Sequence, residues 1–267
     1  MGKMDKPWEG YFPSFKIFGN LYFAGTKPAS THIVDTGDGL IMLDSGYQQS
    51  LYLVIHNIYM LGFNPLDIKY IVMTHGHIDH IGATKALAEL TGAKTFLGAE
   101  DREYANGKLD LSYAKELGME YKECFEPDVL LHDGDIIELG NTKIRAAATP
   151  GHTPGAMSYI FDVTDGEKTY TAGLHGGAGY NTLRREFLDE YGLSYECREK
   201  YKKSMDNLKK ENIDIFLGNH TWQNDTEQKY SELQKGNKDA FVIQGEWETF
   251  CDSVKQGLID MEASEKK

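Results

Sequence analysis

The segment HGHIDH, which begins at His75, limits what this chain can fold into more than any other feature. It follows the apolar run 68–74, which predicts a buried strand. Three imidazoles and a carboxylate are costly to bury unless each has a partner, and a metal ion is such a partner. In an extended backbone His75 and His77 project to the same side, whereas Asp79 and His80 fall on the next turn. The segment therefore predicts side chains for two metal ions.

Two distant histidines lie in matching contexts, each just beyond a predicted strand. His152 lies in the turn TPGHTPG after a strand predicted over 142–148, and His220 follows a strand predicted over 213–217. Either one alone would be an incidental loop histidine, but the first motif needs further ligands from segments that reach the same edge of a sheet. The expected metal ligands are therefore two groups of three: His75, His77 and His152, and Asp79, His80 and His220.

The ligand types indicate zinc chemistry. Imidazoles and carboxylates suit zinc, and a catalytic zinc ion has three protein ligands and an open position for water. Because zinc lowers the pKa of bound water to about 7, a metal-bound hydroxide becomes a nucleophile without a serine or cysteine. We expect two Zn²⁺ ions as cofactors, with Fe or Mn as alternatives. Asp79 and His220 are the ligands expected to act in catalysis, Asp79 by orienting the nucleophile.

The order of the predicted elements indicates an α/β architecture, because both halves of the chain begin with strands and continue with helices. Two such units can pack sheet on sheet with helices outside. Strands are predicted over 16–18, 21–24, 31–35, 39–43, 68–74, 94–97, 135–139, 142–148, 157–163, 168–172 and 213–217, helices over 48–61, 83–91 and 194–211, and helical packing segments over 225–267.

Charge and composition limit the kinds of partner molecule and the compartment that can be expected. Acidic residues outnumber basic ones by 41 to 28, so a polyanion is repelled on average, and we expect a small-molecule substrate rather than nucleic acid. The three cysteines, Cys124, Cys197 and Cys251, are expected to be free thiols, with one disulfide as the alternative. There is no apolar run of signal-peptide or membrane-span length, so a cytoplasmic protein without a membrane partner is expected. The sequence does not set the oligomeric state.

Together the motifs resemble the metallo-β-lactamase superfamily. The resemblance covers about residues 16–222 and rests on the histidine motif at His75, the GHTPG turn at His152, His220, and the segments DSG at Asp44 and DGD at Asp133. It implies a four-layer αββα sandwich of the α+β or α/β class, with metals at one edge between the sheets. We expect a single domain over 1–267, in which a mostly helical extension, 223–267, packs on the core.

One departure from the family pattern is informative. Most members have an Asp after the strand that follows the GHTPG turn, and that Asp bridges the metals; here Leu174 occupies its place. The pattern is similar instead to the third subclass of class B β-lactamases, which use three histidines on one zinc and Asp-His-His on the other. The neighbouring His175 is interpreted as a pocket residue, an extra ligand or a loop histidine. Leu174, Tyr180 and Trp222 are expected to lie at the pocket, and Asp44 either orients a ligating histidine or forms a strand-end turn.

The resemblance implies a binuclear metallo-hydrolase, and a β-lactam, a cyclic amide, is its leading substrate. The expected cytoplasmic location favours an alternative, a lactonase, thioesterase or other ester or amide hydrolase without β-lactamase activity. A phosphodiesterase and a di-iron redox protein are further alternatives. The acidic balance argues against the first, and the chain is too short for the flavin module that accompanies the second.

Overall fold

The strands of the N-terminal half form one seven-stranded sheet in chain order. The computed structural model describes residues 5–265, so the outermost residues of the predicted domain, 1–4 and 266–267, lie outside the described residues. The first four strands pair antiparallel and the last four parallel. The strands are β1 (Phe15–Phe18), β2 (Leu21–Phe23), β3 (His32–Asp35), β4 (Leu40–Leu43), β5 (Ile68–Val72), β6 (Lys94–Gly98) and β7 (Val129–Leu131).

The second half forms a five-stranded sheet in the order β12-β11-β10-β9-β8. Its first four strands in the chain are antiparallel neighbours, and β12 pairs parallel with β11 because the chain crosses over through helices between them. The strands are β8 (Ile136–Leu139), β9 (Thr142–Ala148), β10 (Met157–Thr164), β11 (Thr169–Leu174) and β12 (Ile215–Leu217).

The helices connect the strands and cover the outer faces. The α-helices are α1 (Leu51–Met60), α2 (Ile78–Ile81), α3 (Thr84–Thr91), α4 (Arg102–Ala105), α5 (Arg185–Glu190), α6 (Glu196–Leu208), α7 (Thr226–Gln234) and α8 (Glu246–Ser264). The predicted end of α3 at Gly92 agrees with the structure, where this glycine adopts the left-handed conformation with φ +72° that ends many helices. No helix within residues 5–265 is long and apolar enough to span a membrane.

Three apolar clusters define four layers. The central cluster lies between the sheets and joins side chains such as Phe23 and Val72 of the first sheet to Tyr159 and Leu217 of the second. Further clusters pack α1 and α3 on the outer face of the first sheet, and α6 and α8 on the outer face of the second. The predicted αββα sandwich is therefore confirmed. Because the core between the sheets is continuous, loops at one edge of both sheets face one another.

The structure also contains elements that the sequence did not predict, namely β7, α4 and α5. Each has between three and six residues, which is too short for a hydrophobic period to be recognised. The prediction of three free thiols agrees with the structure, in which Cys251 is buried and Cys124 and Cys197 are half-buried.

Candidate metal centre

The end of β5 places the histidine motif at the edge between the two sheets. His77 is still extended, with φ −82° and ψ 149°, and it directly precedes α2. His77 therefore comes from extended backbone, and His75 lies in the bend 74–77 that precedes α2. Asp79 and His80 lie on the helical turn, as the sequence predicts. His152 reaches the same place from the turn between β9 and β10, and a sixth side chain, that of His220, comes from the segment after β12.

His75, His77 and His152 form a compact group, called here the three-histidine cluster. One ring nitrogen from each lies within 4.8 Å of the others. The ring centroids are 4.5–4.7 Å apart and the ring planes cross at 79–81°, so the rings do not stack face to face. All three side chains are buried. Nitrogens that converge in this way fit the ligand set of a single zinc ion.

Unpaired nitrogen atoms give a direct test of whether metal ions fit. Nε2 of His75 is buried and has no hydrogen-bond partner within the described residues, and Nε2 of His80 is buried with only the poorly aligned Asp79 carboxylate, 3.3 Å away, beside it. The other nitrogen of each ring is held by the protein: Nδ1 of His80 lies 2.7 Å from Asp44 Oδ2. Nδ1 of His75 donates to the Thr74 hydroxyl at 3.0 Å, because that hydroxyl gives its own proton to Asp44. Buried nitrogens without partners are costly, and a metal ion would satisfy both.

The two distant histidines are oriented in the same manner. Nδ1 of His152 donates to the Gly179 carbonyl at 2.5 Å, and Nδ1 of His220 donates to the Pro28 carbonyl at 2.6 Å. A carbonyl only accepts, so each bond fixes the tautomer and leaves Nε2 with a free lone pair. This is the usual arrangement of metal-ligating histidines.

The second predicted group is less tight than the first. Asp79 Oδ2 lies 3.3 Å from His80 Nε2 and 3.8 Å from His220 Nε2. Asp79 and His80 belong to a group of three ligand atoms within 4.8 Å of one another. The third member of that group is His75, not His220. All six predicted side chains nevertheless lie together, with the His80 and His220 rings 5.3 Å apart. Their roles as ligands stay predictions.

Burial controls the protonation of the three-histidine cluster in the metal-free protein. It lowers the pKa of His75 and His77 well below 6.5, and that of His152 to about 4. The three imidazoles are therefore neutral at pH 7, which is the form that binds a metal.

The neighbouring pair has the opposite charge state. Burial lowers the pKa of His80, but the carboxylates of Asp79 and Asp44 outweigh burial and raise the pKa above its ordinary value. Burial likewise raises the pKa of Asp79, but His80 outweighs it and holds this pKa below its ordinary value. Without metal, His80 therefore holds a proton between two carboxylates, in a position where a cation is favoured.

Asp44 hydrogen-bonds to His80 and so orients this pair. Orienting a histidine of the motif is one of the two roles predicted for Asp44. Its carboxylate accepts from the backbone N–H of Thr74 at 2.7 Å and from the Thr74 hydroxyl at 2.8 Å, in addition to His80. It also adopts a left-handed backbone with φ +57°, which is uncommon for a residue other than glycine and is found at functional sites.

Asp101, which the sequence did not single out, joins the two loops that carry the three-histidine cluster. Its buried carboxylate accepts from the Gly76 N–H at 2.7 Å, the Thr153 hydroxyl at 2.6 Å and the Gly155 N–H at 2.6 Å. Burial raises its pKa to about 6, against these hydrogen bonds. The available signal was an acidic residue just after a buried strand, the same context as that of Asp44.

Leu174 and His175, two of the residues predicted to lie at a pocket, are buried inside the protein instead. Leu174 is fully buried in the core between the sheets. His175 is also fully buried, where its Nδ1 accepts from the Gly177 N–H at 2.8 Å and its Nε2 faces the Met205 sulfur at 3.3 Å, so both ring nitrogens are occupied.

The two predicted pocket aromatics differ from each other. Half-buried Tyr180 packs with the cluster under α8. Trp222 is 57% exposed and stacks on His220, with parallel rings 4.5 Å apart. Trp222 therefore flanks the metal centre on the side of its partly exposed histidine.

A cavity of about 390 Å³ lies on the other side, where His77 and His152 form part of its wall. None of the four predicted pocket residues, Leu174, His175, Tyr180 and Trp222, is among its lining residues. The ring of Tyr113 lies 5.4 Å from that of His77 and 5.9 Å from that of Phe187, a lining residue of the cavity.

Comparison with known proteins gives a consistent family. The sequence profile described as the Metallo-beta-lactamase superfamily matches residues 24–165, just over half of the chain. The native FEZ-1 metallo-β-lactamase from Legionella gormanii is 29% identical with a TM-score of 0.88, over 97% of this chain and 98% of that one. BJP-1, a subclass B3 metallo-β-lactamase of Bradyrhizobium japonicum, is 27% identical with a TM-score of 0.85, over 98% of both chains.

One curated relative has a different activity in its name. Hydroxyacylglutathione hydrolase GloC of Haemophilus influenzae is 30% identical over 96 residues, which are 36% of this chain and 45% of that protein. The chain thus spans less than half the length of this relative.

Proposed function

Since this chain belongs to the metallo-β-lactamase superfamily and is a hydrolase of that fold, we propose that it binds two zinc ions and hydrolyses the amide bond of a β-lactam-like cyclic amide. The observation that carries the proposal is the three-histidine cluster, with three buried imidazoles that converge and a buried Nε2, that of His75, without a partner among residues 5–265. The similarity to subclass B3 metallo-β-lactamases over nearly the whole chain supports the substrate class.

The proposed ligands are the three-histidine cluster for one ion, and Asp79, His80 and His220 for the other. When bound, zinc supplies Lewis acidity, which lowers the pKa of water and polarises a carbonyl oxygen. In the reaction, the oxygen of water adds to the carbonyl carbon, the bond from carbon to nitrogen breaks, and the nitrogen takes a proton. The product of a cyclic amide is one ring-opened molecule that carries a carboxylate and an amine, and the second proton of the water is released.

The residues of the chain orient this reaction. The Asp79 side chain is 14% exposed, so its carboxylate can accept a hydrogen bond from water at the edge of the site. Asp44 and the Pro28 carbonyl hold His80 and His220 by their Nδ1 atoms and thereby direct Nε2 of each ring towards Asp79. Preorganised groups of this kind do not have to reorient during the reaction.

A second candidate is a thioester or lactone hydrolase without β-lactamase activity. The named activity of the Haemophilus relative favours it, because hydroxyacylglutathione hydrolases act on another carbonyl substrate with a sulfur leaving group. The same ligands would serve both reactions, since only the leaving atom differs.

A hydrolysis panel on the zinc-loaded protein separates these functions. It compares a chromogenic cephalosporin, S-lactoylglutathione, an N-acyl homoserine lactone and bis-nitrophenyl phosphate. We expect turnover of the cephalosporin. Turnover of only the thioester or the lactone would replace the β-lactamase assignment with the second candidate, and turnover of only the phosphodiester would contradict both.

A further inference from the structure

The cavity beside the three-histidine cluster has the size and position of a substrate subsite. Its volume of about 390 Å³ lies in the range of small-molecule pockets, roughly 300–1,000 Å³. His77 and His152 belong to its wall, so a molecule in the cavity contacts the cluster directly. Residues from α5, α6 and the segment between them form the opposite wall.

The interior of the cavity is apolar and its charged groups lie at the rim. Four large apolar or aromatic lining side chains are at most 9% exposed, namely Tyr104, Leu111, Met157 and Leu188, beside the buried His77, His152 and Thr182. The charged lining residues are Glu100, Glu196 and Lys200, and all three are exposed. An apolar group gains free energy when it leaves water for such an interior, whereas a carboxylate would lose its hydration there.

The charges at the rim also disfavour an anionic group. Two carboxylates, those of Glu100 and Glu196, face one ammonium group, that of Lys200. The chain as a whole carries a formal net charge of −13, which adds to the repulsion of anions. An uncharged substituent meets none of this repulsion.

We propose that this cavity binds the uncharged, apolar part of the substrate's acyl group, an alkyl or aryl substituent of several carbons. This substituent is attached to the carbonyl carbon at which the enzyme hydrolyses its substrate. The proposal rests on the proposed hydrolase function and adds the substrate class. The acyl group lies against Tyr104, Met157 and Leu188, and its carbonyl lies at His77 and His152. The leaving group then points towards the Asp79 side of the metal centre.

Cys197 provides a way to measure occupancy without catalysis. It lies on α6, lines the cavity and is half-buried. Cys251 is buried, and Cys124 lies in another cleft, so Cys124→Ala leaves Cys197 as the accessible thiol. Octanamide, an uncharged compound with the same acyl chain as an octanoyl ester, should protect Cys197 of this variant from alkylation, whereas acetamide should not.

The activity experiment uses p-nitrophenyl esters of acetate, butanoate, hexanoate and octanoate with the zinc-loaded protein. Burial of a methylene is worth about 0.8 kcal/mol, so kcat/KM should rise roughly 3- to 4-fold for each added methylene until the cavity is filled. Cys197→Trp fills the cavity and should lower kcat/KM for the octanoyl ester at least about tenfold and for the acetyl ester much less, so that the rise with chain length is lost. Lys203→Trp, on the exposed side of the same helix, is the matched control and should change neither value.

The outcomes separate this proposal from the function on which it rests. Equal hydrolysis of all four esters, or alkylation of Cys197 that octanamide does not slow, would overturn the acyl subsite and leave the hydrolase intact. Protection of Cys197 without hydrolysis of any ester or of any substrate in the panel would support the subsite and overturn the hydrolase. Because the protection assay uses Cys197 itself, a Cys197→Trp protein that fails to fold does not remove the test.

Discussion

Single residues decide how firmly the metal ligands are held, and Asp101 is the clearest case. It links Gly76, which lies between two ligands, to Thr153, which follows a third. Asp101→Asn removes the charge and presents an NH₂ group where the carboxylate now accepts. Because outer partners of metal ligands typically contribute 10–100-fold to metal affinity, we expect a loss of about that size for the three-histidine cluster.

A competition titration with a metal-binding dye measures this loss. Glu100→Gln is the matched control, since it removes a neighbouring but exposed carboxylate and should bind both metals normally. Wild-type affinity in Asp101→Asn would mean that Asp101 only fills space.

His175, another single residue, makes the stability of the protein depend on pH. Burial lowers its pKa from 6.5 to about 3, so the unfolded chain binds the additional proton between these values. The free energy of unfolding therefore falls as the pH decreases from 6.5, by at most about 1.4 kcal/mol per pH unit from this group. His175→Gln keeps a donor and an acceptor but does not titrate.

Urea unfolding of the metal-free proteins at pH 4.5 to 7 tests this expectation. The stability of His175→Gln should decrease less steeply with falling pH than that of the wild type. Buried His32, whose pKa burial lowers to about 4, and the three-histidine cluster, whose pKa values burial also lowers, keep part of the slope in both proteins. Identical slopes would show that His175 is not the titrating group.

Secondary-structure elements determine where the ligands meet, and the close contact between β6 and the turn before β10 is critical. At Gly98, the last residue of β6, an added Cβ would lie 1.9 Å from the Gly155 carbonyl oxygen. Gly98→Ala must push this turn, and with it His152, away from the first sheet. We expect an overpacking cost of about 1–3 kcal/mol in the free energy of unfolding and weaker binding at the three-histidine cluster.

Gly92→Ala is the control, because residue 92 has φ +72° but open space around it. It should lose stability from backbone strain alone and keep normal metal affinity. Calorimetry and metal titration of both variants distinguish the cases; equal metal affinity in both would contradict the role assigned to the β6 contact.

Elements with a strong pattern could be predicted from the sequence, and short ones could not. The period of the predicted helix 48–61, which contains α1, and the apolar run of β5 were sufficient, and the histidine motif followed from its position after that strand. In contrast, α4 and β7 are too short to carry a period, although α4 and the turn before it contribute Tyr104 and Asp101. The cavity could not be predicted either, since its walls come from distant segments such as α4, β10 and α5.

At the scale of the whole molecule, both halves of the sandwich are needed for the metal centre. The first half supplies four of the six proposed ligands within one turn, and the second supplies His152 and His220 from two separate loops. The sequence indicated that these strand ends converge because each histidine follows a buried strand. It could not show that His175 and Leu174 are buried away from the site, because their packing depends on α6 and on the facing sheet.

If the six side chains form two separate three-ligand sites, native mass spectrometry of the zinc-loaded protein shows how many ions each set of ligands holds. We expect two zinc ions in the wild type and one in His77→Ala, with loss of hydrolysis. We expect no zinc when His220→Ala is added to His77→Ala. Two zinc ions in His77→Ala with full hydrolytic activity would contradict the account.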